Sequence, residues 1–267
     1  MNIVLVHGIL GFRQKFGIEY FRGVAEHFRE QGMKVFVPTL DPTQGIEYRG
    51  GQLRDQIAAA FSSGSLDGGA KTHILAHSMG GLDSRWMLSP ANRTGNQAPI
   101  RSLTTISTPH QGSPIADLVD RPEQLSSFAN LPFGLKIDPL TPVLNALGVS
   151  LDGLRNLTTQ YCQKFSAACA DNPSVAYFSV AGAGRSSFPE TAAVFLLFHK
   201  YIAALTGEQN DGLVTVASAK WGTLDPNIWP ADHGEEVGNN LDNLLLPPAF
   251  PWLAKYDQML ARVTALD

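Results

Sequence analysis

The chain has little of what would let a protein work by bulk charge, covalent staples or bilayer insertion. Lys and Arg number 20 against 24 Asp and Glu, a formal net charge of -4. No basic field is therefore available to hold a phosphate backbone, which argues against a nucleic-acid partner. Two cysteines in 267 residues, Cys162 and Cys169, are too few for a disulfide framework, and they lie close together in a stretch of helical pattern where they either pair locally or stay reduced. No apolar run approaches the ~20 residues that a membrane-spanning helix requires. The longest, Ala192 to Phe198, is closed by His199 and Lys200 and reads as a buried helix. Low-complexity tracts, internal repeats and linkers are also missing, which favours one domain over residues 1–267 with a sizeable core. Met1 leads directly into apolar strand sequence without the basic leader and cleavage site of a signal peptide. The compartment stays open: inside the cell, exported by another route, or seen in processed form.

The most informative stretch present is Thr72-His73-Ile74-Leu75-Ala76-His77-Ser78-Met79-Gly80-Gly81. A short apolar run meets a turn of small residues and then a helical pattern. Such a strand-to-helix reversal forces its central residue into strained backbone angles and lifts a side chain clear of the sheet, which makes Ser78 a candidate nucleophile. Gly80 is read as the residue whose side chain would collide with the preceding strand, and Ala76 replaces the more usual glycine with only a methyl group. A serine that merely caps the helix beginning near Met79 would leave the same local sequence. The rest of the chain must therefore supply a base, an acid and an oxyanion hole.

Taken in order, Ile3 to Val6 is a continuous apolar run suited to a strand buried on both faces of a parallel sheet. His7-Gly8-Ile9 follows at its carboxyl end, where open α/β sheets bind ligands, and the Ile9 N–H is the first oxyanion donor. His7 is expected to orient that loop rather than to transfer protons. An amphipathic helix is expected over Tyr20 to Gln31, a strand at Val35 to Val37, and a further helix marked by Leu53, Ile57 and Phe61 and introduced by Arg49-Gly50-Gly51-Gln52. Met79 supplies the second oxyanion N–H, because the residue after such a nucleophile donates its amide to the tetrahedral intermediate. Ile100 to Ser107 is the next strand.

From Pro114 to Asn172 the alternation of strand and helix lapses. This insertion, approximately 114–172, is read as a helical lid or cap, with Phe133, Leu135, Leu140, Val143, Leu144 and Leu147 as its substrate-facing candidates. Val175 to Val180 resumes the sheet, a helix covers Thr191 to Leu205, and Leu241 to Leu246 and Trp252 to Leu266 read as terminal helices. Between them lie Asp211, in Asn210-Asp211-Gly212, and His233, the last histidine. The order Ser78, Asp211, His233 is that of an α/β-hydrolase and differs from the chymotrypsin-like and subtilisin-like orders. Asp225 and Asp232 compete for the acid. Asp232 adjoins His233 in sequence, a geometry that rarely aligns a carboxylate with the ring N–H, so Asp211 is preferred.

On Val6-His7-Gly8-Ile9, Arg49-Gly50-Gly51-Gln52-Leu53, the turn around Ser78, Thr104 to Ser113, Leu157-Thr158-Thr159, Gln209 to Val214 and Asp232-His233, the chain resembles the bacterial family I true lipases, triacylglycerol lipases of the α/β-hydrolase superfamily. The resemblance implies a mostly parallel sheet flanked by helices, hydrolysis of acylglycerol esters at a lipid-water interface, and Ser78, Asp211 and His233 as the triad, with Ile9 and Met79 as oxyanion donors. It also implies a structural calcium ion, with Glu190, Glu235, Asn239 and Asn243 as candidate ligands, although the family has Asp and Gln at the places of Glu235 and Asn239. A carboxylesterase or a polyester depolymerase is the nearest rival among enzymes, and a non-catalytic binding module on the same fold is the rival from another class.

Overall fold

A computed structural model describes residues 1–9, 19–92, 99–119, 151–187, 191–243 and 246–266. Among these, six strands form one parallel sheet in the order β2-β1-β3-β4-β5-β6. They are β1 (Asn2–Val6), β2 (Lys34–Phe36), β3 (Thr72–His77), β4 (Ile100–Ile106), β5 (Ala176–Val180) and β6 (Thr223–Leu224). All five residues of β1 and all six of β3 are buried, as expected of strands covered by helices on both faces. This is why Ile3 to Val6 of β1 reads as an unbroken apolar run, while β3 keeps Ile74, Leu75 and Ala76 between buried polar residues.

The covering helices are α1 (Val24–Glu30), α2 (Ile46–Ser62), α3 (Met79–Leu88), α4 (Leu151–Arg155), α5 (Thr159–Ala168), α6 (Ala193–Thr206), α7 (Val216–Ala219) and α8 (Trp252–Thr264). On one face, Val24 and Phe28 of α1 pack with Tyr256 and Met259 of α8 against Ile3 and Leu5. On the other, Leu53 and Ile57 of α2 pack against Val4, Val6 and Ile74. Burying an aliphatic side chain of this size stabilises the fold by roughly 1.5–3 kcal/mol each.

Several boundaries differ from the sequence reading. Helix α2 begins at Ile46, so Gly50 and Gly51 lie inside it rather than before it. Residues 241–243 form a turn, not the start of a helix, because Asn240 Oδ1 accepts the N–H groups of Asp242 and Asn243 at 3.1 Å each. Of the insertion over 114–172, α4 and α5 are described, and Leu157, Cys162, Phe165 and Cys169 pack in one cluster with Ile46, Met79 and Leu82. Both cysteines are free and buried. The lid residues Phe133, Leu135, Leu140, Val143, Leu144 and Leu147 lie outside the described residues, as does Glu190. No helix of the described residues is long and apolar enough to cross a membrane.

Candidate active site

Ser78 joins β3 to α3 with φ 55° and ψ -133°, a left-handed backbone that a serine adopts only when its surroundings enforce it. The enforcement is visible at Gly80. A Cβ there would stand 2.5 Å from the carbonyl oxygen of Val6 and 2.8 Å from that of His7. The collision is thus with the end of β1, not with β3, the strand that precedes the turn; β3 and β1 are neighbours, and α3 starts where they lie side by side. The Ser78 side chain makes no capping bond to α3, so the helix-cap explanation of this serine does not describe the geometry. Met79 is the first residue of α3, where backbone N–H groups have no carbonyl four residues back to receive them.

The acid loop is rigid before it meets the histidine. Asp211 Oδ1 accepts the N–H groups of Leu213 at 2.8 Å and Val214 at 2.7 Å, leaving Oδ2 to accept the Nδ1–H of His233 at 2.7 Å. Asn210, fully buried, donates through Nδ2 to the carbonyl of His199 at 3.2 Å and accepts the N–H of Gly212 at 3.0 Å. With Nδ1–H committed to Asp211, the His233 ring presents Nε2 as its unprotonated nitrogen. That ring lies 4.4 Å, centroid to centroid, from the ring of His77, the residue immediately before Ser78. The hydroxyl, imidazole and carboxylate residues singled out by the sequence therefore share one edge of the sheet.

The competing acids are elsewhere engaged. Asp232 accepts backbone N–H groups from Ala192, Gly234 and Glu235 at 2.8, 2.9 and 3.0 Å, and burial pushes its carboxyl above the usual range. Asp225 pairs with Arg262 at 2.7 Å. His7 accepts the Leu40 N–H at Nε2 and donates from Nδ1 to the carbonyl of Gly8, so both ring nitrogens are engaged by backbone around its own loop.

Of the calcium candidates, Glu235, Asn239 and Asn243 lie among the described residues and Glu190 outside them. Glu235 Oε2 turns back to the Asp232 N–H at 3.1 Å, and Asn239 Nδ2 donates to the carbonyls of Glu19 and Tyr20 at 3.3 and 2.9 Å. The one place among the described residues where ligand atoms of three His, Cys, Asp or Glu side chains come within 4.8 Å of one another is His77, His233 and Glu236. These residues do not fit a hard cation, which is held by six to eight oxygens.

Two features escaped the sequence reading. Arg49, fully buried in α2, donates through Nη2 to the carbonyl of His7 at 2.8 Å and through Nε to Asp83 Oδ2 of α3 at 2.9 Å. It thereby ties the end of β1 to α3, the helix that follows Ser78. Burial raises the Asp83 carboxyl to about 6, against the opposing pull of Arg49. The second is Glu236, three positions after His233 and fully buried against His77 and Ser107. The Arg49-Gly50-Gly51 motif signalled the first, whereas nothing local signalled the second.

No protein-family model matches the chain. Among known proteins it is similar to triacylglycerol lipase 2 of Saccharomyces cerevisiae, at 35% identity over 81% of this chain and 61% of that one. It is also similar to triacylglycerol lipase of Vibrio cholerae, at 27% identity over 90% of this chain and 80% of the relative. The chain thus spans about three fifths of the yeast relative and four fifths of the bacterial one. Among solved structures it resembles the Staphylococcus hyicus lipase with TM-score 0.71 and 19% identity, covering 99% of this chain and 95% of that one. A metagenomic carboxyl esterase gives TM-score 0.73 at 19% identity over 99% and 76%. These structural likenesses carry the fold. The chain is thus similar in sequence to triacylglycerol lipases and in fold to solved lipases and esterases.

Proposed function

We propose that the protein is a serine ester hydrolase acting on acylglycerols, with Ser78 as nucleophile, His233 as general base and Asp211 as the acid that fixes the imidazole. The observation that carries this is the 2.7 Å bond between His233 and Asp211 beside the strained turn that holds Ser78. His233 Nε2 takes the Ser78 proton as the hydroxyl oxygen attacks the ester carbonyl, and Asp211 stabilises the resulting imidazolium. The oxyanion that forms is received by the backbone N–H groups of Ile9 and Met79. Losing one such donor costs on the order of a hundred- to a thousandfold in rate in a comparable hydrolase. His233 then returns the proton to the leaving alcohol, and water activated by the same nitrogen releases the fatty acid from the acyl-enzyme.

Buried Arg49 supports this reading, because its bond to the His7 carbonyl holds the strand end that must present the Ile9 amide. The test is a series of nitrophenyl esters of rising acyl length together with emulsified triacylglycerol, using wild type and Ser78→Ala. Release of fatty acid from emulsified long-chain substrate by wild type alone supports the proposal. Activity confined to soluble short esters would assign a carboxylesterase instead, and no turnover of any ester would leave a binding module.

A further inference from the structure

The carboxyl group of Glu236 stands where three neighbouring strands end. It lies in the short turn Glu235–Val237, three residues beyond His233, and is fully buried. Its Oε2 is 3.0 Å from Nε2 of His77, the last residue of β3 and the neighbour of Ser78. Its Oε1 accepts the hydroxyl of Ser107 at 2.7 Å, directly after β4. The Ser107 Oγ in turn accepts the N–H of Gly182, two residues beyond β5, at 3.0 Å. The other ring nitrogen of His77 is 2.7 Å from the Tyr20 hydroxyl, so the string runs Tyr20, His77, Glu236, Ser107, Gly182 without a gap.

Two local features show that the surroundings are built to this carboxyl. Ser107 holds φ 41°, one of two non-glycine residues of positive φ among those described, the other being Ser78 itself. Such strain persists only where neighbours over-determine it. A Cβ at position 182 would overlap Glu236 Oε1, which explains a glycine where β5 leaves the sheet.

We propose that Glu236 is a positioning residue for the ester hydrolysis assigned above, and on that assignment the inference rests: its carboxyl clamps the His233 loop to the ends of β3 and β4 and so sets the imidazole against Ser78. Glu236 does not touch the reacting atoms. It acts through His77 and through the loop it shares with His233, and a small displacement of that loop is magnified in rate, since a misplacement of ~1 Å costs on the order of a hundredfold.

The experiment measures kcat and KM on a soluble ester for Glu236→Ala, Glu236→Gln, Gly182→Ala and Ser107→Ala, with sites counted by the end point of fluorophosphonate labelling so that unfolded molecules drop out. Glu236→Ala and Gly182→Ala are expected to lose about tenfold to a hundredfold in kcat per labelled site with KM changed less than about twofold. Glu236→Gln keeps an acceptor for Ser107 and a donor for His77, and is expected to stay within about threefold of wild type. Should the alanine variant not fold, Ser107→Ala, which removes the two bonds made by the Ser107 hydroxyl, is expected to lose kcat about threefold to tenfold while glutamine does not. Equal kcat per labelled site in the folded variants overturns the clamp while leaving the triad intact. Absence of turnover in wild type overturns the assignment on which it rests.

Discussion

Asp211 and His233 are joined twice: the imidazole Nδ1–H donates to the carboxylate at 2.7 Å, and the backbone N–H of His233 donates to the carbonyl of Asp211 at 3.0 Å. The first bond selects the ring tautomer. The second fixes the backbone separation of two loops that stand 22 positions apart in the chain.

Asp211→Asn should therefore lower kcat by about four orders of magnitude while leaving the fold intact, because the amide stabilises the wrong tautomer. Asp225→Asn should leave kcat within about twofold and cost no more than about 1 kcal/mol, since its partly exposed partner Arg262 forms a surface pair. Steady-state kinetics and denaturant midpoints on the two variants check this. A loss of turnover in Asp225→Asn with Asp211→Asn unaffected would reverse the assignment of the acid.

Gly80→Ala tests the turn itself. With backbone carbonyls 2.5 and 2.8 Å from the added Cβ, no side chain can rotate away, and α3 must lift from β1. A destabilisation of about 2–4 kcal/mol is expected, together with loss of hydrolysis. Gly51→Ala, at an open position of the neighbouring helix, is the control that should cost nothing or stabilise slightly.

The Asp83 carboxyl gives a pH signature in stability. Its folded pKa of about 6 lies above the ordinary carboxyl value of 3.8, so the folded state holds this proton more tightly than the unfolded chain does. The contribution is fully present below about pH 4 and is lost as pH rises through about 6. Urea midpoints of wild type should fall across that window relative to those of Asp83→Asn. The asparagine variant, uncharged at every pH, should show no such fall. Parallel curves for the two proteins would contradict the assignment.

Chelation addresses the calcium expectation. A bound ion would add stability by mass action, and two candidate side chains already have partners: Glu235 Oε2 accepts the Asp232 N–H, and Asn239 Nδ2 donates to the carbonyls of Glu19 and Tyr20. EDTA is expected to move the thermal midpoint by less than about 1 °C, and a larger shift that calcium reverses would show that the site exists.

The sequence made the central strands and the turn at Ser78 legible because both follow from local chemistry. A buried parallel strand favours apolar and β-branched residues, and a sharp turn favours small ones. It misplaced the start of α2 by reading Gly50 as a break. There the glycine serves close helix packing, since a Cβ would lie 2.5 Å from Cε3 of Trp86. Helix α5 left a usable signal in Thr158, whose hydroxyl oxygen accepts the Tyr161 N–H. Glu236 left none, because its partner Ser107 stands 129 positions away, and no spacing within the chain encodes such a contact.

The most direct test of the triad is covalent labelling of the native protein with a fluorophosphonate, followed by peptide mapping, in wild type, Ser78→Ala and His233→Ala. Modification of Ser78 alone in wild type is expected, with none in Ser78→Ala and labelling slowed by at least about a thousandfold in His233→Ala. Stoichiometric labelling of another serine, or undiminished ester hydrolysis by Ser78→Ala, would contradict it.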